Sequence, residues 1–149
     1  MTIREATLED VEAINQLNTG PLNHEYPLAD AKKQLCYLLS SPVNKLFVKE
    51  LDEKVVGYIQ LSEYVSTYAP RLMNVLALVV AEDFHSQGLG KALLDYAEQW
   101  AKEQGVKGIR LNSGVERTAA HKFYEKQEYV RVKNQVNFRK LFNERISKE

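Results

Sequence analysis

At 149 residues, with 44% apolar and 27% charged positions, the chain is long enough to bury one sizeable core and too apolar for a disordered polymer. Twenty basic and twenty acidic residues leave no formal charge, which argues against the clustered basic surplus of a nucleic-acid or anionic-membrane binder and leaves self-association open. The single cysteine, Cys36, rules out an intrachain disulfide; with no secretory h-region at the start and no apolar run near the roughly 18 residues of a spanning helix, a cytoplasmic protein is expected.

The chain opens on a short strand around Ile3 to Ala6. Thr7, with Asp10 three residues on, has the form of a capping box, and Val11, Ile14 and Leu17 follow at helical spacing. Gly20-Pro21 stops this helix, and Leu22 to Pro27 is a loop. Ala31, Leu35, Leu38 and Leu39 predict a second helix, ended by Ser40-Ser41-Pro42. Lys45 to Leu51 and Lys54 to Tyr64 predict a hairpin turning at Asp52-Glu53. Leu72 to Val80 is almost wholly apolar, as a strand covered on both faces must be. A helix from Gly88 to about Glu103 carries a stripe of Leu89, Ala92, Leu93, Tyr96, Ala97, Trp100 and Ala101 and stops at Gly105. A strand from Ile109 to Asn112, a helix from Thr118 to Lys126 and two closing strands, Tyr129 to Val132 and Val136 to Leu141, complete the order. No repeat or linker divides the sequence. The expected fold is α+β, a mixed sheet with helices on both faces, in a single domain over residues 1–142 followed by a polar tail, 143–149.

The most informative stretch runs from Val79 through His85-Ser86-Gln87-Gly88-Leu89-Gly90-Lys91. A buried strand passes through a polar, glycine-containing turn into a long helix. A helix N-terminus offers unpaired N–H groups and the positive end of the dipole, and glycines let a ligand approach the backbone, so the turn suits an anion, phosphate above all. Lys91 adds a positive charge in the first turn. A P-loop is excluded because G-x-x-x-x-G-K-S/T is absent. A dinucleotide fingerprint is excluded because the turn lies mid-chain and Leu93 stands where a third glycine belongs.

His85-Ser86-Gln87-Gly88-Leu89-Gly90 resembles the R/Q-x-x-G-x-G/A acetyl-CoA motif of the GNAT acetyltransferase superfamily, with His85 in the first place. A second segment, Arg117-Thr118-Ala119-Ala120-His121-Lys122-Phe123-Tyr124-Glu125-Lys126-Gln127-Glu128-Tyr129, resembles the family's N-x-x-A-x-x-F-Y-E-K-x-G-F, with Arg117 for Asn and Glu128 for Gly. Order and spacing of both motifs match over roughly residues 1–142. The resemblance implies a central sheet, mostly antiparallel and splayed in the middle, that takes acetyl-CoA as co-substrate. The pantetheine arm would pair with Leu78-Val79-Val80 and the pyrophosphate would sit on the N–H groups from His85 to Lys91, with Arg117 and Tyr124 also at the cofactor.

By the same resemblance a neutral amine attacks the thioester carbonyl directly and Tyr124 protonates the departing CoA sulfur. The base stays open among Glu63, Gln60, Glu25, Glu116 and water, with Glu63 the residue carried forward. Glu25, Tyr26, Gln60, Asn112 and Ser113 are the candidates for contact with the acceptor. His24, His85 and His121 lack ligand spacing for zinc, so no metal is expected. The expected acceptor is a small-molecule amine, in a pocket built by residues 20–30 and 62–71, and a homodimer is expected. A protein N-terminal or lysine acetyltransferase is the alternative enzyme. A non-catalytic acyl-CoA-binding module is the alternative of another class, disfavoured by the presence of Tyr124.

Overall fold

In the computed structural model, which describes residues 2–142, the elements in chain order are β1 (Thr2–Glu5), a 3-10 turn (Leu8–Asp10), α1 (Val11–Thr19), α2 (Leu28–Ser40), β2 (Asn44–Leu51), β3 (Lys54–Tyr64), β4 (Leu72–Val80), a second 3-10 turn (Glu82–Phe84), α3 (Leu89–Glu103), β5 (Ile109–Leu111) and α4 (Thr118–Lys126). The chain falls into two compact units, Met1–Asn112 and Ser113–Glu149.

The first unit is built on a five-stranded sheet in the order β1-β2-β3-β4-β5, antiparallel throughout except for the parallel β4–β5 pair. Asp52 and Glu53 both take positive φ, the twist a two-residue hairpin needs, and turn β2 into β3. On one face, Leu46, Val48, Tyr58 and Val79 of the sheet meet Ile14 and Leu17 of α1 and Leu35 of α2. The Tyr58 hydroxyl donates to Asn18 Oδ1, and burial pushes its phenol up to about 12. On the other face Phe47 packs edge-on against Tyr96 and Trp100 of α3, 4.9 and 5.8 Å between ring centres. Gly57 lets α3 come close: a Cβ there would meet Val79 O at 3.0 Å and Leu93 Cδ1 at 3.2 Å.

The capping box at the start of α1 shows its acidic half. Asp10 accepts the Thr7 N–H at 2.7 Å and a fork from Arg4 at 2.8 and 2.9 Å. The Arg4 hydrogen bonds hold the Asp10 carboxyl below its usual range.

The second unit contains α4 and a stretch without helix or strand to residue 142. Here the structure corrects the sequence reading. Neither Tyr129–Val132 nor Val136–Leu141 is a strand, because neither has a ladder partner among the described residues. Without a neighbour to take the backbone N–H and C=O groups, β-propensity alone makes no sheet. The expected polar tail, 143–149, lies outside the described residues. Among those described, no helix is long and apolar enough to cross a membrane, and no cluster of three or more His, Cys, Asp or Glu could hold a metal.

Candidate functional site

Strand β4 is paired unevenly along its two edges. Towards β3 it is laddered from Leu72 to Val80, with Leu76 as an extra residue in a bulge where Gln60 faces Ala77 and Leu61 faces Val75. Towards β5 the pairing stops at Val75↔Leu111. From Leu76 to Val80 the second edge therefore has no strand beside it among the described residues. Leu78, Val79 and Val80 lie on this open edge. Leu76, which the sequence reading did not single out, begins it and is 53% exposed.

The turn that follows leads into α3 through two left-handed residues, Ser86 at φ 68° and Gly88 at φ 77°. The first helix-type bond is Ala92 N–H to Gly88 O at 3.0 Å. The backbone N–H groups of Ser86, Gln87, Gly88, Leu89, Gly90 and Lys91 have no acceptor among the described residues. Six consecutive unpaired donors thus stand at the positive end of a 15-residue helix, an arrangement suited to an anion. His85 does not join them. Its own N–H bonds to Glu82 O at 3.2 Å, and its Nε2 lies 2.8 Å from Val80 O, which fixes that nitrogen as the N–H donor. The ring thus ties the end of β4 to the turn. Lys91 turns its ammonium along the helix to Asp95 at 2.5 Å, an exposed pair, and the hydrogen bond to Asp95 raises its pKa.

Partners across a sheet share a face, so β3, β4 and β5 carry Gln60, Ser62, Tyr64, Asn74, Arg110 and Asn112 on the same side as Tyr58. This polar strip continues the face whose apolar part α1 and α2 cover. It brings together two sequence-predicted residues, Gln60 and Asn112. Ser62 and Tyr64 fall within residues 62–71, expected to build the acceptor pocket; Asn74 and Arg110 were missed, although Asn74 was legible as the lone polar residue in the run Leu72–Val80. Glu63, one residue out of step, stands on the α3 face and meets Arg71 at 3.5 Å. Glu25 and Tyr26 sit in the exposed loop between α1 and α2.

In the second unit, Arg117 caps the start of α4 and Tyr124 lies on that helix. The Tyr124 ring is edge-on to Phe123 and Tyr129, at 5.2 and 5.8 Å between centres. Burial pushes its phenol above the ordinary value, with the Arg117 charge pulling the other way. Ser113 has a buried hydroxyl with no hydrogen-bond partner among the described residues. Gly114 O takes the His121 Nε2–H at 2.8 Å, and Arg131 donates to His121 Nδ1 at 3.2 Å, so His121 braces this unit internally.

A strand open along one edge, running into a helix that presents unpaired N–H groups, is the architecture of an acyl-CoA-dependent transferase. The model of the acetyltransferase (GNAT) family matches residues 9–129, and the chain belongs to that family. It is an acetyl-CoA-dependent N-acetyltransferase. It is 27% identical over 128 residues to an aminoalkylphosphonate N-acetyltransferase of Salmonella typhimurium, covering 85% of this chain and 83% of that one. It is 40% identical over 60 residues to an uncharacterised N-acetyltransferase of Bacillus subtilis; that match covers 40% of this chain and 42% of the relative's length. Among solved structures, an aminoglycoside N-acetyltransferase in complex with CoA superposes with a TM-score of 0.83 at 17% identity, over 93% of each chain.

Proposed function

We propose that the protein acetylates a small-molecule amine, with the CoA pyrophosphate on the six N–H groups from Ser86 to Lys91 and the pantetheine arm along the open edge of β4. The run of unpaired donors beside that edge carries this reading. The small-amine acceptor draws support from the aminoalkylphosphonate enzyme among the relatives and the aminoglycoside enzyme among the structures of this fold.

In the step itself the amine nitrogen attacks the thioester carbonyl carbon, the C–S bond breaks, and the sulfur leaves with the electron pair. Tyr124, carried over from the family motif, supplies the proton the sulfur takes. Burial keeps its phenol protonated across the working pH range, as an acid must be. The proton lost by the amine goes to water on the polar strip. Glu63 is unsuited to that task, since it stands on the opposite face in an ion pair. Asn112, Gln60 and Ser113 are retained as acceptor-side residues, and Arg117 as a cofactor-side one. The protein works in the cytoplasm as a homodimer in this reading; zero net charge and the exposed apolar residues of the stretch after α4 support self-association.

Calorimetric titration with acetyl-CoA tests the cofactor site. Binding to the wild-type protein is expected without added metal. Gly90→Asp should abolish it by placing a carboxylate among donors meant for phosphate. Absence of binding to the wild-type protein at millimolar acetyl-CoA would refute the assignment.

A further inference from the structure

The first unit has three arginines, and two of them meet carboxylates: Arg4 takes Asp10 and Glu50, and Arg71 takes Glu63. Arg110 does not. Among the described residues no carboxylate lies within ion-pair distance of it, yet its guanidinium is firmly placed. It stacks 4.3 Å from the centre of the Tyr64 ring and donates to Asn74 Oδ1 at 2.7 Å and to Asn112 Oδ1 at 3.3 Å. An aromatic face and two neutral amide oxygens orient a guanidinium without neutralising its charge. Two of its five N–H groups are used, which leaves donors for a further acceptor. A preorganised cation whose own fold supplies no anion is suited to an oxyanion brought by a ligand.

Its place says which ligand. Arg110 pairs with Asn74 across the β4–β5 ladder, and the ladder ends one step later at Val75↔Leu111. The guanidinium therefore stands on the polar strip at the point where the open edge of β4 begins, where the proposed cofactor site ends. We propose that Arg110 anchors an oxyanion carried by the acceptor, so that the substrate is an amine bearing a carboxylate or phosphonate group. This inference rests on the acetyl-transfer reading above and narrows it from small amines in general to anionic ones. Tyr64 and Asn74 are positioning residues that hold the guanidinium flat and aimed.

The test uses matched amines with purified full-length protein: β-alanine against β-alaninamide, 2-aminoethylphosphonate against its diethyl ester, and spermidine as a polycation. CoA release should give kcat/KM values roughly 10- to 100-fold higher for the anionic member of a favoured pair, the worth of one charge-assisted contact. Arg110→Gln should erase this preference mainly through KM, Arg110→Lys should restore part of it, and CoA affinity should stay within about twofold as a check on the fold. Preference for the carboxylate or for the phosphonate pair identifies which oxyanion the site takes. Equal turnover of neutral or cationic amines, or discrimination that survives Arg110→Gln, would overturn the proposal. A second arm is independent of turnover: titration of the CoA-loaded protein with acetate and with methylphosphonate. One of these should bind the wild-type protein and bind Arg110→Gln roughly 10- to 100-fold more weakly. If no amine is acetylated, the transfer reading falls by that result, and the titration still decides Arg110: anion binding lost in the variant upholds the site, and no anion binding to the wild-type protein removes it.

Discussion

Strand β3 and the stretch from Tyr129 to Leu141 are both rich in β-branched and aromatic residues, and they meet different fates. In β3, Val56, Tyr58, Ile59 and Leu61 are at most 2% exposed, since the strand has β2 on one side, β4 on the other and a helix on each face. In the later stretch Val130, Val132, Val136 and Phe138 remain 75–90% exposed. The lesson is that a strand is a relation between segments. The composition of a segment supplies only one half of it.

Substitutions can break or sharpen this contrast. Leu94→Ala in the first unit removes a fully buried side chain from α3 and should cost about 2–5 kcal/mol in denaturant unfolding. A loss as small as that of a surface change would mean the sheet unit is not the stable part of the chain. Next in size is Tyr124→Phe, which keeps the ring contacts with Phe123 and Tyr129 while removing the proton. Turnover should fall on the order of 10²-fold with CoA affinity near wild type, the signature of an interaction made in the transition state. Because burial raises this phenol, loss of its proton should affect the rate only above its ordinary value near pH 10, and an alkaline decline well below that pH must come from another group. Unchanged turnover in the Phe variant would reduce Tyr124 to packing. A smaller gain, roughly 0.5–1 kcal/mol, is expected from Glu128→Gly, since Glu128 holds φ 70° at the end of α4, where a side chain is strained. Smallest of all should be the effect of Phe138→Ser with Val132→Ser on monomer stability, within about 0.5 kcal/mol. The same double variant should weaken self-association in sedimentation, and a dimer of undiminished strength would exclude the stretch after α4 from its interface.

The first unit was readable because its signals were local and redundant. Gly20-Pro21, Asp52-Glu53 and Gly105 each marked a boundary that the backbone observes, and the run from Leu72 to Val80, apolar but for Asn74, read as a strand covered on both faces. The strand-turn-helix at Gly88 was readable for the same reason, although the sequence could not show that His85 commits its ring to Val80 O and its N–H to Glu82 O. Facing was harder. Gln60 and Glu63 stand three residues apart on one strand and therefore on opposite faces, and only the ladder shows that Gln60 shares its side with Asn112. The cluster around Arg110 was least legible, because Tyr64, Asn74 and Arg110 come from three strands and meet through pairing that no linear spacing records. Glu128 was the opposite case. The family pattern wanted glycine, and the backbone takes the left-handed conformation regardless.

Gly57 is a remote adjustment screw for the proposed cofactor site. The two atoms that a methyl group there would press upon, Val79 O and Leu93 Cδ1, belong to the open strand and to the helix that begins at the anion turn. Prising them apart by a few tenths of an ångström would change the gap between two surfaces that the proposed binding mode assigns to different parts of one extended molecule. In that binding mode grip strength is reset, during natural divergence or by hand, from a position outside the proposed ligand contacts.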